Sequence, residues 1–280
     1  MGKPITRSLS RSLQESSCTS GSQSQSQTSA TNASLTKIPF RPRKIRKLSI
    51  HTSTANNTEA SSAGKLLSAK GEIDLALEHL RNSEPLLAAL INTHKHPIFE
   101  SNTPPFLSLS RSILYQQLAL NAAKSIYTRF LTLCGGESGV LPENVLSLSV
   151  QQLREIGISG RKASYLHDLA DKYRNGSLSD SSILEMSDDM LLTSLTAVKG
   201  IGVWSVHMFM IFSLHRPDVL PVGDLGVRKG VQSLYGLKEL PQPSLMEQLC
   251  EKWRPYRSVG SWYMWRLMEA KTLAKATAKS

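Results

Sequence analysis

From Lys65 onward the apolar residues recur at three- and four-residue spacing, and no stretch alternates with a period of two. That pattern specifies amphipathic helices and leaves no run of β-branched residues to build a sheet, so the fold class is all-α. Ile73, Leu77 and Leu80, then Leu86, Leu87 and Leu90, mark helical faces separated at Ser83-Glu-Pro85, where proline at a first helical position restarts a helix. A second amphipathic segment runs over 106–133, with Ile113, Leu114, Gln117, Leu118, Ala122 and Ile126 as candidate faces. Further helices are expected over 150–156, 161–173, 188–198, 203–214, 225–235, 244–252 and 258–272. With 280 residues and 40% apolar side chains, the chain can bury the core of one large or two small domains.

Residues 1–64 are a different kind of sequence. Over 14–35 they are almost entirely Ser, Thr, Gln, Asn, Gly and Ala, with nothing to bury, which predicts a disordered tail ahead of a domain at 65–280. Of 33 basic and 22 acidic side chains, nine and two fall in this tail, leaving 24 against 20 in the rest. The net charge of +11 therefore suggests a polyanionic partner only weakly for the domain, and specific loops must carry that case. Arg41-Pro-Arg-Lys-Ile-Arg-Lys47 reads as a nuclear import signal, a non-specific DNA-binding arm or a solvated charge run. The Ser/Arg richness of the tail is also that of an organelle transit segment, and Met1-Gly-Lys-Pro-Ile-Thr6 fits the short, loose myristoylation pattern.

Cys18, Cys134 and Cys250 lie far apart, a spacing that argues against a disulfide framework, a zinc site or an iron–sulfur cluster and fits a reducing compartment. The longest apolar run, 203–214, falls short of the ~18 residues of a membrane span, which points to a soluble protein.

Two motifs carry chemistry. Ser187 is an N-cap in type, with Asp188 and Asp189 favourable at the positive end of a helix dipole, and Leu191, Leu192, Leu195 and Val198 form a buried face. The helix runs into Val198-Lys-Gly-Ile-Gly202, where glycines permit a tight turn and the next helix opens with unpaired N–H groups able to receive a phosphate. Alone, Gly-Ile-Gly is equally an ordinary glycine turn. Asp224 follows Gly202 by 22 residues, after Pro221-Val-Gly, and by residue type it is the N-cap of a helix ending at Gly236. Its functional reading rests on the pair: a phosphate anchor and a carboxylate facing one groove.

Val198-Lys-Gly-Ile-Gly-Val-Trp-Ser205 followed by Leu220-Pro-Val-Gly-Asp-Leu-Gly-Val-Arg228 resembles the helix-hairpin-helix DNA glycosylases, and more narrowly their DNA-3-methyladenine glycosylase II branch. Ile113-Leu-Tyr-Gln-Gln-Leu118 with Ala122-Ala-Lys124, Gly160-Arg-Lys-Ala163, and Trp253-Arg-Pro-Tyr-Arg-Ser258 before Trp265 agree with it, so the resemblance spans roughly 73–268. It implies a two-lobed all-α fold and hydrolysis of alkylated purines, of the 3-methyladenine and 7-methylguanine type, from duplex DNA to leave an abasic site. A glycosylase for uracil or ethenoadenine, or a non-catalytic damaged-DNA-binding module, are the alternatives.

Carried over residue by residue, Asp224 is the catalytic carboxylate, stabilising positive charge on the sugar and orienting water. The base must be flipped out, and Gln117 and Leu118 match the position that fills the gap; otherwise Gln117 caps a loop and Leu118 is core. Trp204, Trp265, Tyr115 and Met208 would line the base pocket, with Trp253 and Trp262 as core. Gly200, Gly202 and Val203 would grip phosphate, joined by Arg161 and Lys162 unless these are a solvated helix start. Trp204 stands where bifunctional relatives carry a Schiff-base lysine, so no lyase step is expected. No cofactor is required, although relatives hold a monovalent cation by carbonyls that would here be those of Thr196, Val198 and Ile201. Double-stranded DNA and downstream abasic-site repair enzymes are the implied partners, with no membrane, a monomeric state and a nuclear location, or an organellar one. Two departures are the missing antiparallel sheet domain of the branch's bacterial member and Met208 and Arg266, which replace tyrosines near its pocket. His207 beside the pocket reads as packed or exposed.

Overall fold

The computed structural model describes residues 65–100 and 102–277, and the 1–64 tail with its basic cluster lies outside the described residues. Thirteen α-helices and no strand occur among the described residues, which are thus all-α. They are α1 (Glu72–Ser83), α2 (Pro85–Thr93), α3 (Pro105–Tyr115), α4 (Leu120–Cys134), α5 (Pro142–Ser147), α6 (Val150–Glu155) and α7 (Gly160–Arg174). After these come α8 (Asp180–Glu185), α9 (Asp188–Thr196), α10 (Val203–Phe212), α11 (Leu225–Leu234), α12 (Pro243–Leu249) and α13 (Arg257–Thr277).

Serine caps start many of the helices, each satisfying an otherwise orphaned N–H: Ser149 and Ser179 in capping boxes, Ser159 on the N–H of Lys162, Ser187 on that of Met190. The helices sort into two lobes. In one, α13 packs against α11, α2 and α1; in the other, α7 packs against α3, α5 and α6, while α3 also meets α4, α8 and α10. The hairpin between α9 and α10 carries the chain from the second lobe towards Asp224 at the start of α11. At the far end of α11, Tyr235 donates its hydroxyl to Glu84, which is 1% exposed, caps α2 and pairs with Lys252 at 2.7 Å. Burial pushes the Glu84 carboxyl up, but the bonds from Lys252 and Tyr235 prevail and hold it below the ordinary carboxylate value.

Three features differ from the sequence expectation. The 106–133 segment is two helices, because the chain reverses at Gln116 to Ala119 with Gln117 at φ 54, and α3 therefore ends where one continuous face was expected. The helices α5 and α8 were not anticipated; at six residues each they hold fewer than two turns and leave no periodic pattern. Trp253 is fully buried as core, whereas Trp262 is half-buried with the Arg266 guanidinium 5.0 Å from its ring centroid. That guanidinium also donates to Glu269 at 2.7 Å.

Candidate active site

Asp224 stands where an extended segment becomes a helix, and the start of α13 pins that segment. Ser258 Oγ donates to the Arg216 carbonyl at 2.7 Å and accepts the Val219 N–H at 2.9 Å, while the Ser258 N–H donates to the Pro217 carbonyl at 3.0 Å. Asp218 is gripped from the same side by Arg257 Nε at 2.6 Å and Arg254 Nη1 at 2.5 Å. The chain then turns, the Asp224 N–H donating to the Pro221 carbonyl at 2.8 Å.

Both oxygens of the Asp224 carboxylate are held. Oδ1 accepts the Val227 N–H at 2.7 Å, which caps α11, and the Trp265 indole N–H at 2.9 Å. Oδ2 accepts the Trp204 indole N–H at 2.7 Å. Three donors from α10, α11 and α13 thus fix the carboxylate, so the helix cap and the presented carboxylate are one arrangement. Gly226 makes room for it: a Cβ there would lie 2.9 Å from Trp265 Cδ1 and 3.0 Å from Asp224 Oδ1. Trp265 leans on Phe212, centroids 5.5 Å apart, while Trp204 remains 42% exposed.

The hairpin is anchored from α7. Gly200 has φ +81, and a Cβ on it would meet the Tyr165 ring at 2.1 Å, so only glycine fits. Lys199 donates its main-chain N–H to Asp168 at 2.9 Å and its ammonium to the same carboxylate at 3.1 Å. Asp168 is held below the ordinary carboxylate value; desolvation pushes it up, but these bonds outweigh that. Gly202 caps α10 without a side-chain acceptor, and Gly202, Val203 and Trp204 are exposed, which leaves first-turn N–H groups facing solvent for an anion.

The family model of the HhH-GPD superfamily, base excision DNA repair proteins, matches residues 110–255, just over half of the chain. The chain belongs to the HhH-GPD superfamily. The DNA-3-methyladenine glycosylase 1 of Schizosaccharomyces pombe is 30% identical over 194 residues, covering 69% of this chain and 85% of that protein. Among solved structures, a DNA-3-methyladenine glycosidase of Bacillus halodurans superposes with a TM-score of 0.63 at 32% identity, over 72% of this chain and 90% of that one. The 3-methyladenine DNA glycosylase Mag1 of S. pombe in complex with abasic DNA gives 0.59 at 30% identity, over 69% and 95%.

In this superfamily member the residues expected at the site divide into two sets. Asp224, Trp204 and Trp265 meet directly, with Met208 half-buried one turn beyond Trp204 on α10. Tyr115 makes its ring contacts elsewhere, edge-on to Tyr127 at 5.9 Å with the Arg111 guanidinium 5.2 Å from its centroid. Gln117 is exposed at the tip of the α3–α4 turn and Leu118 is half-buried behind it. Arg161 is exposed on the first turn of α7. The Lys162 ammonium donates to the carbonyls of Leu114 and Gln116 at 2.7 and 2.8 Å, satisfying the C-terminal end of α3. Burial pushes its pKa down. His207 is half-buried, which lowers its pKa. Sequence reasoning missed Gly226, Asp218, Asp168, Tyr165 and Gln116. A glycine two residues after a helix cap, the paired Arg254 and Arg257, and the Gln116-Gln117 doublet were the signals available.

Proposed function

We propose that this protein is a monofunctional DNA glycosylase that hydrolyses the N-glycosidic bond of alkylated purines in duplex DNA, the opening step of base-excision repair. One observation carries the reading: a carboxylate at a helix start, held on both oxygens by two indoles, with a Gly-Ile-Gly hairpin, exposed at its glycines, opening the helix that carries one of those indoles. The names of the relatives, DNA-3-methyladenine glycosylases, support the alkylpurine class.

As the bond from C1′ to the purine nitrogen breaks, its electron pair leaves with the base and positive charge grows on the deoxyribose. The Asp224 carboxylate stabilises that charge and orients the water whose oxygen bonds to C1′ while its proton passes to the carboxylate or solvent. A cationic N3- or N7-alkylated purine leaves neutral, so modest catalysis suffices. The indole N–H groups point at the carboxylate, which leaves the ring faces for a cation–π contact of ~0.5–2 kcal/mol with the charged base.

A lyase step needs a free amine at the sugar. Trp204 stands at the position of the bifunctional relatives' lysine, Lys199 is paired with Asp168, and Lys229 projects to solvent from α11. The product is therefore an abasic site for downstream repair enzymes. The carbonyls of Thr196, Val198 and Ile201 on the α9–α10 turn are oxygen donors suited to Na⁺ or K⁺, which would add positive charge to the hairpin. The Val198 carbonyl already accepts the Ile201 N–H at 3.1 Å and keeps a second lone pair. The basic 41–47 cluster and a DNA substrate favour the nucleus.

The test is release of free base from N-methylated duplex DNA by wild type and Asp224→Asn at concentrations where both bind. Release of 3-methyladenine or 7-methylguanine by the wild type alone upholds the reading. If both bind and neither releases base, the protein is a binding module and Asp224 is only a cap.

A further inference from the structure

The turn that carries Gln117 is tied down by polar contacts as well as by the half-buried Leu118. A cavity of about 200 Å³ lies behind it, lined by Leu114, Leu118, Ile126, Ile158 and Ser159 among others. Its tip residue, a glutamine at φ 54, sits in the left-handed region that non-glycine residues avoid unless the surroundings impose it. What imposes it is polar. The half-buried Lys162 ammonium spans the Leu114 and Gln116 carbonyls at 2.7 and 2.8 Å, at the negative end of the α3 dipole. Gln116, whose carbonyl is so held, extends its own amide Nε2 to the Gly200 carbonyl at 2.8 Å. One ammonium and one amide thereby connect the exposed Gln117 tip to the hairpin.

We propose that Lys162 is a positioning residue for base extrusion: it holds the Gln117 turn in its left-handed form and, through Gln116 and Gly200, keeps that turn in register with the phosphate-binding hairpin. The role rests on the glycosylase reading for its effect on rate, but not for its effect on bound DNA. A filler residue must enter the stack while the hairpin holds the backbone, and a displacement of about 1 Å in such an arrangement costs on the order of 10²-fold.

The experiment uses the full chain, a duplex with an abasic-site analogue flanked by 2-aminopurine, and saturating protein, so that fluorescence reports unstacking and not affinity. Lys162→Met keeps the stem and removes the donors, Lys162→Arg restores charge and donors, and Gln116→Ala cuts only the link to Gly200. Lys162→Met is expected to give less than about half of the wild-type rise, with Lys162→Arg recovering most of it and Gln116→Ala intermediate. On methylated DNA the Met variant should lose roughly 10- to 100-fold in release from duplex and clearly less from single strands, which need no extrusion. A wild-type rise with saturated Lys162→Met overturns the proposal. So does a loss confined to affinity with a salt slope shallower by about 0.9, the mark of a phosphate contact. Should Lys162→Met fail to fold, Gln116→Ala decides: a wild-type rise there overturns the link. Should the wild type release no base, the glycosylase reading fails while the fluorescence series still judges Lys162.

Discussion

The Asp224 centre and the Gln117 turn lie on one protein yet are built by opposite means. At Asp224, donors from α10, α11 and α13 close on one carboxylate, and even the Cβ that Gly226 lacks is accounted for by the indole beside it. At Gln117, an exposed tip hangs over a cavity from one ammonium and one amide. The difference follows from what each must meet. Charge developing on a sugar is stabilised only by groups already in place, whereas a turn entering a duplex must tolerate the DNA's own distortion, and such elements come from the less stable parts of a fold.

The sharpest way to break the comparison is at the rigid end. Asp224→Asn keeps a good N-cap, since Asn and Asp cap about equally well, but one amide cannot accept both indole N–H groups on its two ends. Single-turnover base release should fall by about 10²–10³-fold, the loss typical when a preorganised electrostatic group is removed, with melting temperature and DNA affinity little changed. An undiminished rate would show that rigidity at Asp224 serves only the fold.

Next in size is Trp265→Phe, which removes one hydrogen bond to a charged group while keeping an aromatic ring beside Phe212. Such a bond contributes ~1.5–3 kcal/mol, so release should slow roughly 10- to 100-fold. The measurement is the single-turnover rate against affinity for an abasic analogue: a loss in affinity alone would make Trp265 a binding surface and leave Asp224 positioned by its cap. Gly226→Ala probes the same crowding from the backbone. Alanine favours the helix by up to ~1 kcal/mol, so unchanged stability with a lowered rate would place the conflict at Trp265 and the carboxylate.

The two regions also differed in how far the sequence revealed them. Asp224, Trp204 and Trp265 were legible as types at their spacings, and the helical periods around them were legible too. That both indoles donate to the one carboxylate was not, because the three residues sit on three helices whose convergence depends on Ser258, Arg254 and Arg257 pinning the segment before Asp224. The Gln117 turn was illegible for a different reason: no glycine or proline marks the break between α3 and α4, and its cause is a lysine 45 residues away on α7. Local patterns report helix faces, and they are silent where a tertiary hydrogen bond overrides them.

The smaller effects test the flexible side. Gly200→Ala sets a Cβ against the Tyr165 ring in a left-handed backbone, a strain of ~1–3 kcal/mol, and should weaken DNA binding on the order of tenfold, read by anisotropy at fixed salt. If affinity held and only the melting temperature fell, the hairpin would be scaffold and not a phosphate grip.

Smallest is Asp168→Asn, which leaves the Lys199 N–H an acceptor but removes the charge facing an ammonium that is 71% exposed. Solvent screens so open a pair, so affinity should change only a few-fold. The sign of its pH dependence is fixed by the lowered carboxyl pKa: the pair's stabilising contribution is present above the ordinary carboxylate value and is lost as pH falls through the lower folded value. Wild type should therefore gain stability over Asp168→Asn on the rise through that acid window and hold the gain to neutral pH, measured as the difference in melting temperature. A difference that persisted undiminished below that window would mean that shape and hydrogen bonding, and not the charge of Asp168, separate the two proteins, so that the ion pair with Lys199 adds nothing to the hairpin.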